Sequence, residues 1–271
     1  MVRALWSGAS GMMAQQTNVD TIANNLANVN TVGYKTEQNE FKSLLYQQIQ
    51  TRTTTANGIN KPVGAQVGLG VRNASITSEF TQGAFQASES NTSFAISGDG
   101  FFSVVNDGEV YYTRNGDFHF ALGGNGMYLT TSDGYPVLNT VGQPITIPAN
   151  YVASKVQVDA TGQLTYPDDA NNQQPIAGMK IGLFQFQNPS GLEKVGGTMY
   201  QVTESSGAAL NEETNPNVTK SEIRQGYLES SNVQVADEMV NLIIAQRAYE
   251  LNSKVITTSD QMLQTANELK R

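Results

Sequence analysis

The sequence contains no cysteine, which removes disulfides, thiolate metal sites and cysteine nucleophiles together and leaves the redox compartment open. Histidine occurs once, as His119, so a metal site built from several imidazoles is excluded. No stretch approaches the roughly 20 apolar residues of a membrane span. The apolar N-terminus is broken by Ser7, Gly8, Ser10 and Gly11 before Gln15 and Gln16, so neither a membrane helix nor a cleavable signal peptide is expected. Basic runs are also missing: Lys and Arg are scattered singly, and only Lys270 and Arg271 are adjacent. With 16 basic against 24 acidic side chains the net charge is -8, which repels a phosphate backbone and excludes nucleic acid as an expected partner.

What is present is a chain of 271 residues, 39% apolar and only 15% charged, long enough to bury a core and rich in Asn, Gln, Ser, Thr and Gly at its surface. Its two ends have helical periodicity. Leu5, Ala9, Met12, Val19, Ala23 and Leu26 follow alternating three- and four-residue steps, with Gln16 as the polar exception, and Val2, Met13, Ile22 and Val29 form a second stripe. Asn28 to Gly33 should stop this helix. At the other end Ile244, Ala248, Leu251, Val255, Met262 and Leu269 form one seam, while Leu242, Tyr249, Ile256 and Leu263 form another seven residues apart. No Pro or Gly occurs from Val235 to Lys270, so one long helix is expected there.

Between the ends, Phe101 to Val105, Val110 to Thr113, Phe118 to Phe120 and Ile181 to Phe186 read as strands. Asn106-Asp107-Gly108, Asn115-Gly116-Asp117 and Ser132-Asp133-Gly134 read as tight hairpin turns, which need residues tolerant of positive φ. The expected class is therefore α+β: long N- and C-terminal helices forming a coiled-coil-like inner domain around a mainly β central domain. Residues 1–46 form the first helical segment, 47–66 a polar arm or linker, 67–225 the β domain and 226–271 the second helical segment, paired with the first. Two stripes per helix exceed what one pairing covers, so the ends are expected to fold together on polymerisation; the plainer alternative packs them on the β domain.

A search for chemistry finds little. His119 lies opposite Phe118 and Phe120 on a strand, and the nucleophile-elbow, phosphate-loop and dinucleotide patterns are absent. The carboxylate pairs Asp168-Asp169 and Glu212-Glu213 leave a secreted β-rich hydrolase as a remote alternative, but their polar, turn-like surroundings read as solvated loop charges. No catalytic, cofactor or metal residue is expected.

The string Asn24-Asn25-Leu26-Ala27-Asn28-Val29-Asn30-Thr31-Val32-Gly33-Tyr34-Lys35 resembles the N-terminal signature of flagellar rod and hook proteins. Gln225-Gly226-Tyr227-Leu228-Glu229-Ser230-Ser231-Asn232-Val233, Glu238-Met239-Val240 and Ala245-Gln246-Arg247-Ala248-Tyr249-Glu250 resemble the C-terminal one. Gly98-Asp99-Gly100-Phe101-Phe102, Tyr112-Thr113-Arg114-Asn115-Gly116 and Asn188-Pro189-Ser190-Gly191-Leu192 extend the resemblance through the middle. Arg3-Ala4-Leu5-Trp6, Ala14-Gln15-Gln16 and the segment from Leu45-Tyr46 to Gly68-Leu69-Gly70-Val71-Arg72 are most similar to the distal-rod branch of that family; proximal rod and hook subunits are the sibling alternatives. The resemblance implies a non-enzymatic subunit in the basal body, outside the cytoplasmic membrane. It implies export without a cleavable signal through the flagellar type III apparatus, and helical polymerisation with itself. Proximal rod subunits, hook or hook-adjacent subunits and surrounding ring proteins are the further partners implied. The assembly residues would be Leu5, Met12, Val19, Ile22, Asn24, Asn25, Leu26, Asn28, Gly33, Leu242, Ile244, Gln246, Arg247, Tyr249, Leu251, Val255, Ile256, Met262 and Leu263.

Overall fold

The computed structural model describes residues 2–50, 64–124, 126–148, 151–168 and 172–269, which fall into two compact units. The first comprises residues 1–27, 37–77 and 234–271, and the second comprises residues 28–36 and 78–233. Each unit therefore draws on distant parts of the chain.

In the first unit, helix α1 spans Val2–Ala27 and helix α2 spans Val235–Glu268. α2 runs 34 residues because no helix breaker interrupts it, and Asp237 and Glu238 sit in its first turn, where the helix dipole favours negative charge. Strand Glu37–Ser43 pairs with Val71–Ser78, and Tyr46–Gln50 pairs antiparallel with Ala65–Gly68. Both described ends of the polar arm are thus laddered strand rather than free linker, and residues 51–63 of that arm lie outside the described residues.

The second unit is built on a six-stranded sheet in which all hydrogen-bonded neighbours run antiparallel. Its order is Glu193–Gly196, Met199–Gln201, Glu109–Thr113, Phe101–Asn106, Leu183–Gln185 and Leu210–Asn211. Successive side chains of the Phe101–Asn106 strand point to opposite faces, and both faces are covered. Phe102 and Val104 join a core with Phe94, Ile96, Phe118, Leu129, Ile145 and Ile223, while Phe101 packs with Tyr112, Phe186 and Tyr200 in an aromatic cluster. Edge-on geometry recurs there, with Tyr112 and Phe186 centroids 4.9 Å apart at 86°.

The Asn106-Asp107-Gly108 hairpin forms as expected, with φ of 50° at Asp107 and 88° at Gly108, as a two-residue I′ turn requires. Asn115-Gly116-Asp117 is different: the strands flanking it, Glu109–Thr113 and Phe118–Gly123, belong to separate sheets. Gly116 is needed there for close approach, since a Cβ would collide with the Phe94 carbonyl. His119 is exposed on its strand, beside buried Phe118.

One expectation is overturned outright. Glu212 is a buried carboxylate, not a solvated loop charge. Its Oε2 accepts from the Ser221 N–H at 2.8 Å, and its Oε1 accepts from the Ser221 hydroxyl and the Gln185 amide, each at 2.8 Å. These donors replace the lost water. Glu213 is exposed and pairs with Lys180 at 2.8 Å. Asp168 is exposed, and Asp169 lies outside the described residues.

Candidate assembly site

α1 and α2 pack antiparallel, and small and polar residues, with Ile256 beside Gly8, line much of the face between them. A Cβ on Gly8 would lie 3.0 Å from Ile256 Cγ1, and one on Gly11 would lie 2.8 Å from the Asn252 amide. Gly8, Gly11, Ala14, Ile22 and Asn25 are buried on α1, as are Glu238, Ala245 and Ser259 on α2. Backbones can approach closely only where side chains are this small.

Asn25 anchors one end of this face. Its amide donates to the Glu37 carbonyl at 2.8 Å and accepts from the Glu37 N–H at 2.9 Å. The same amide donates to the Glu238 carboxylate at 3.4 Å. Desolvation pushes Glu238 above the ordinary carboxylate range, with neighbouring Asp237 adding to the rise and the Asn25 hydrogen bond opposing it. Asn24, exposed, donates to the Glu37 carboxylate at 3.1 Å.

The larger apolar seams lie elsewhere. On α2, Ile244, Leu251, Val255 and Met262 are exposed, Leu251 by 65% and Ile244 by 60%. Leu251, Val255 and Met262 form an apolar strip along one side of α2, beside Lys254, Thr258 and Ser259. Of the companion seam, Leu242 and Ile256 are half-buried, whereas Tyr249 and Leu263 remain exposed. On α1, Leu5, Met12, Val19 and Leu26 are half-buried, while Trp6 and Met13 stand open to solvent. Gln246 and Arg247 are exposed, and Arg247 meets Glu250 at 2.8 Å one turn on. Such an exposed pair contributes little stability.

Within the second unit, the remaining signature residues surround a buried ion cluster. Asn28 accepts from the Thr31 hydroxyl at 3.1 Å, and Gly33 takes φ of 69° with its N–H donating to the Glu229 carbonyl at 2.8 Å. A Cβ at Gly33 would also press on the Asn115 nitrogen at 2.6 Å, so both the backbone conformation and the space demand glycine. Lys35 Nζ then meets Glu229 Oε1 at 2.6 Å, with both side chains essentially inaccessible, and also donates to the Thr81 carbonyl at 2.7 Å. Arg114 approaches the other oxygen of Glu229 at 3.5 Å and lies 4.9 Å above the Phe101 ring. Burial pulls Lys35 and Arg114 below their ordinary values, and Glu229 opposes the shift in both. Asn232 completes the joint by accepting from the Thr36 N–H at 2.7 Å.

Sequence periodicity locates the helices and puts Ile22 and Ile256, buried and half-buried here, on their second stripes, but it does not single out the glycine, alanine, serine and asparagine that allow the close approach, because apolar patterning weights large side chains. The pair Gly8 and Gly11, three apart in a helix, is the readable signal of close approach. Lys35, Arg114 and Glu229 all lie within the quoted family strings, but nothing in their spacing brings them together.

Three family models match the chain: "Flagella basal body rod protein" over residues 5–35, "Flagellar hook protein FlgE/F/G D1 domain" over residues 95–166, and "Flagellar basal body rod FlgEFG protein C-terminal" over residues 224–269. The flagellar basal-body rod protein FlgG of Borreliella burgdorferi is 43% identical over the full length of both chains. FlgG of Bacillus subtilis is 37% identical, again covering all of both, and the flagellar hook-basal body complex protein FlhP of the same organism is 30% identical over the same extent. With end-to-end identity at this level, and with matched segments in both helices and in part of the β unit, the chain belongs to the flagellar basal-body rod protein family represented by FlgG.

Proposed function

We infer that the chain is a structural subunit of the distal flagellar rod, polymerising helically into a hollow shaft that transmits torque to the hook. The outward apolar seam of α2 is the observation that carries the mechanism. Ile244, Leu251, Val255 and Met262 are exposed on a flank of the helix next to the face that already pairs with α1. Burying each such side chain contributes about 1.5–3 kcal/mol, and head-to-tail contacts that repeat without closing generate a helical filament. In this reading residues 1–46 and 226–271 form a coiled-coil-like inner assembly segment, 47–66 an arm and 67–225 the outer domain.

The partners are further copies of the chain, proximal rod subunits, hook or hook-adjacent subunits and surrounding rings. The subunit reaches its place outside the cytoplasmic membrane unfolded, through the flagellar type III apparatus and without a cleavable signal. Its work is mechanical, with no turnover and no cofactor. A proximal rod or hook subunit of the same family is the second reading, motivated by the family model shared with hook protein; labelling in isolated basal bodies separates them.

Electron microscopy of the concentrated chain, seeded with basal-body fragments, tests the mechanism against the double variant Leu251→Asp/Val255→Asp. Straight tubes are expected from the parent alone, with the far-ultraviolet spectrum of the variant monomer unchanged because both positions are exposed. Tubes from the variant at the parent's critical concentration would remove the seam from the interface.

A further inference from the structure

The Lys35–Glu229–Arg114 cluster is costly in a way the packing around it does not require. Two cations share one carboxylate, all three side chains are essentially inaccessible, and Arg114 Nε has no hydrogen-bond partner among the described residues. Taking charges out of water carries a desolvation penalty that mutual attraction repays only with complete, well-aligned hydrogen bonding. Here the second cation sits at 3.5 Å, a marginal distance. A cluster serving net stability would be satisfied throughout, as the Glu212 carboxylate is.

What the cluster does well is discriminate. Lys35 comes from the segment that follows α1, and Glu229 from the segment that precedes α2; the two are 194 positions apart in the chain. Glu229 Oε1 also accepts from the Gly83 N–H at 2.9 Å. Beside it Asn232 accepts from both the N–H and the hydroxyl of Thr36, at 2.7 and 2.8 Å, and donates to the Glu79 carbonyl at 2.9 Å. A slip of either segment by one residue would turn Lys35 or Glu229 away and strand a buried charge, a penalty that an apolar contact would not impose.

We propose that Lys35, Arg114 and Glu229 are positioning residues: their buried pairing selects which residues of the chain's two end segments lie side by side, and adds no net stability. The cluster is thereby the register mark for the two places where the chain leaves the β unit, after Thr36 and just beyond Asn232.

The test uses the full-length monomer and does not depend on polymerisation, so its failure is separate from failure of the rod reading. Glu229→Gln leaves two buried cations without a counter-charge and should unfold the joint, lowering Tm sharply. The triple variant Lys35→Met/Arg114→Leu/Glu229→Leu removes every charge and should keep Tm within about 3 °C of the parent. Amide exchange at Gly33, Thr36 and Ser230 should nevertheless rise at least about tenfold in the triple variant, because alternative registers become accessible. A triple variant as unstable as Glu229→Gln would make the cluster a stability element. Unchanged exchange at those three amides would show that register is set elsewhere. Either result overturns the proposal.

Discussion

The two units of this chain solve opposite problems. The β unit, residues 28–36 and 78–233, carries 16 acidic and 7 basic residues and packs most of its large apolar side chains in two clusters on either face of one sheet, leaving only scattered ones such as Leu122 and Val141 open. The helical unit carries 8 acidic and 9 basic residues and leaves Ile244, Leu251, Val255, Met262 and Trp6 in solvent. A unit of strong single-sign charge repels its own copies, whereas a nearly neutral one with open apolar seams associates. The difference teaches that one sequence can put its main apolar core in the middle and its contiguous open apolar seams at the ends, the division that the proposed assembly requires.

The comparison breaks most severely at the β core. Phe102→Ala should cost about 3–5 kcal/mol in urea denaturation followed by near-ultraviolet aromatic signal, since Phe102 is fully buried between Phe118 and the sheet. A loss below about 1 kcal/mol would mean that the core collapses around the gap. The helical unit should break differently, through its glycines. Gly11→Val forces branched carbons against Asn252 and should cost about 1–3 kcal/mol in helical signal; stabilisation instead would show that helix propensity outweighs close packing at this face.

Glu238 sharpens the contrast with the well-satisfied Glu212. Its raised folded-state pKa means that the folded pair keeps a proton at pH values where the unfolded chain has released it. Its stabilising contribution is therefore complete below the ordinary value of 4.5 and is lost as pH rises through the raised one. Glu238→Gln should accordingly gain stability relative to the parent at pH 7 but not at pH 4, in paired denaturation curves at the two values. Equal differences at both pH values would refute the assignment. The smallest effect is expected at Thr198, a β-branched residue held at φ 59° in the two-residue turn Gly197-Thr198. Thr198→Gly should raise stability by about 0.5–1 kcal/mol, with Tm as the check; a lower Tm would show that the Thr198 side chain compensates its backbone strain.

Much of the fold is legible in the residues alone. Uninterrupted heptad spacing from Val235 onward specifies a helix whatever its surroundings, because intrinsic propensity and the absence of Gly and Pro act locally. The Asn-Asp-Gly hairpin at 106–108 is likewise a local matter of positive φ. The α+β class and the family strings also follow from residues read in order. Gly116 and Glu212 resisted such reading: a glycine used for space and one used for φ look alike in a sequence, and so do a buried and a solvated carboxylate until the donors from Ser221 and Gln185 are in place.

The sequence by itself determined where the helices run, where the Asn106-Asp107-Gly108 hairpin turns and which family the chain resembles, since each depends on residues read in order. Only the tertiary structure decided that α1 and α2 meet through Gly8, Gly11, Ala245 and Ser259, leaving Leu251 and Val255 outward, and that Lys35 meets Glu229 across 194 positions. Those outcomes depend on how closely two backbones can approach and on where buried charges find partners, and both are set by residues far apart in the chain.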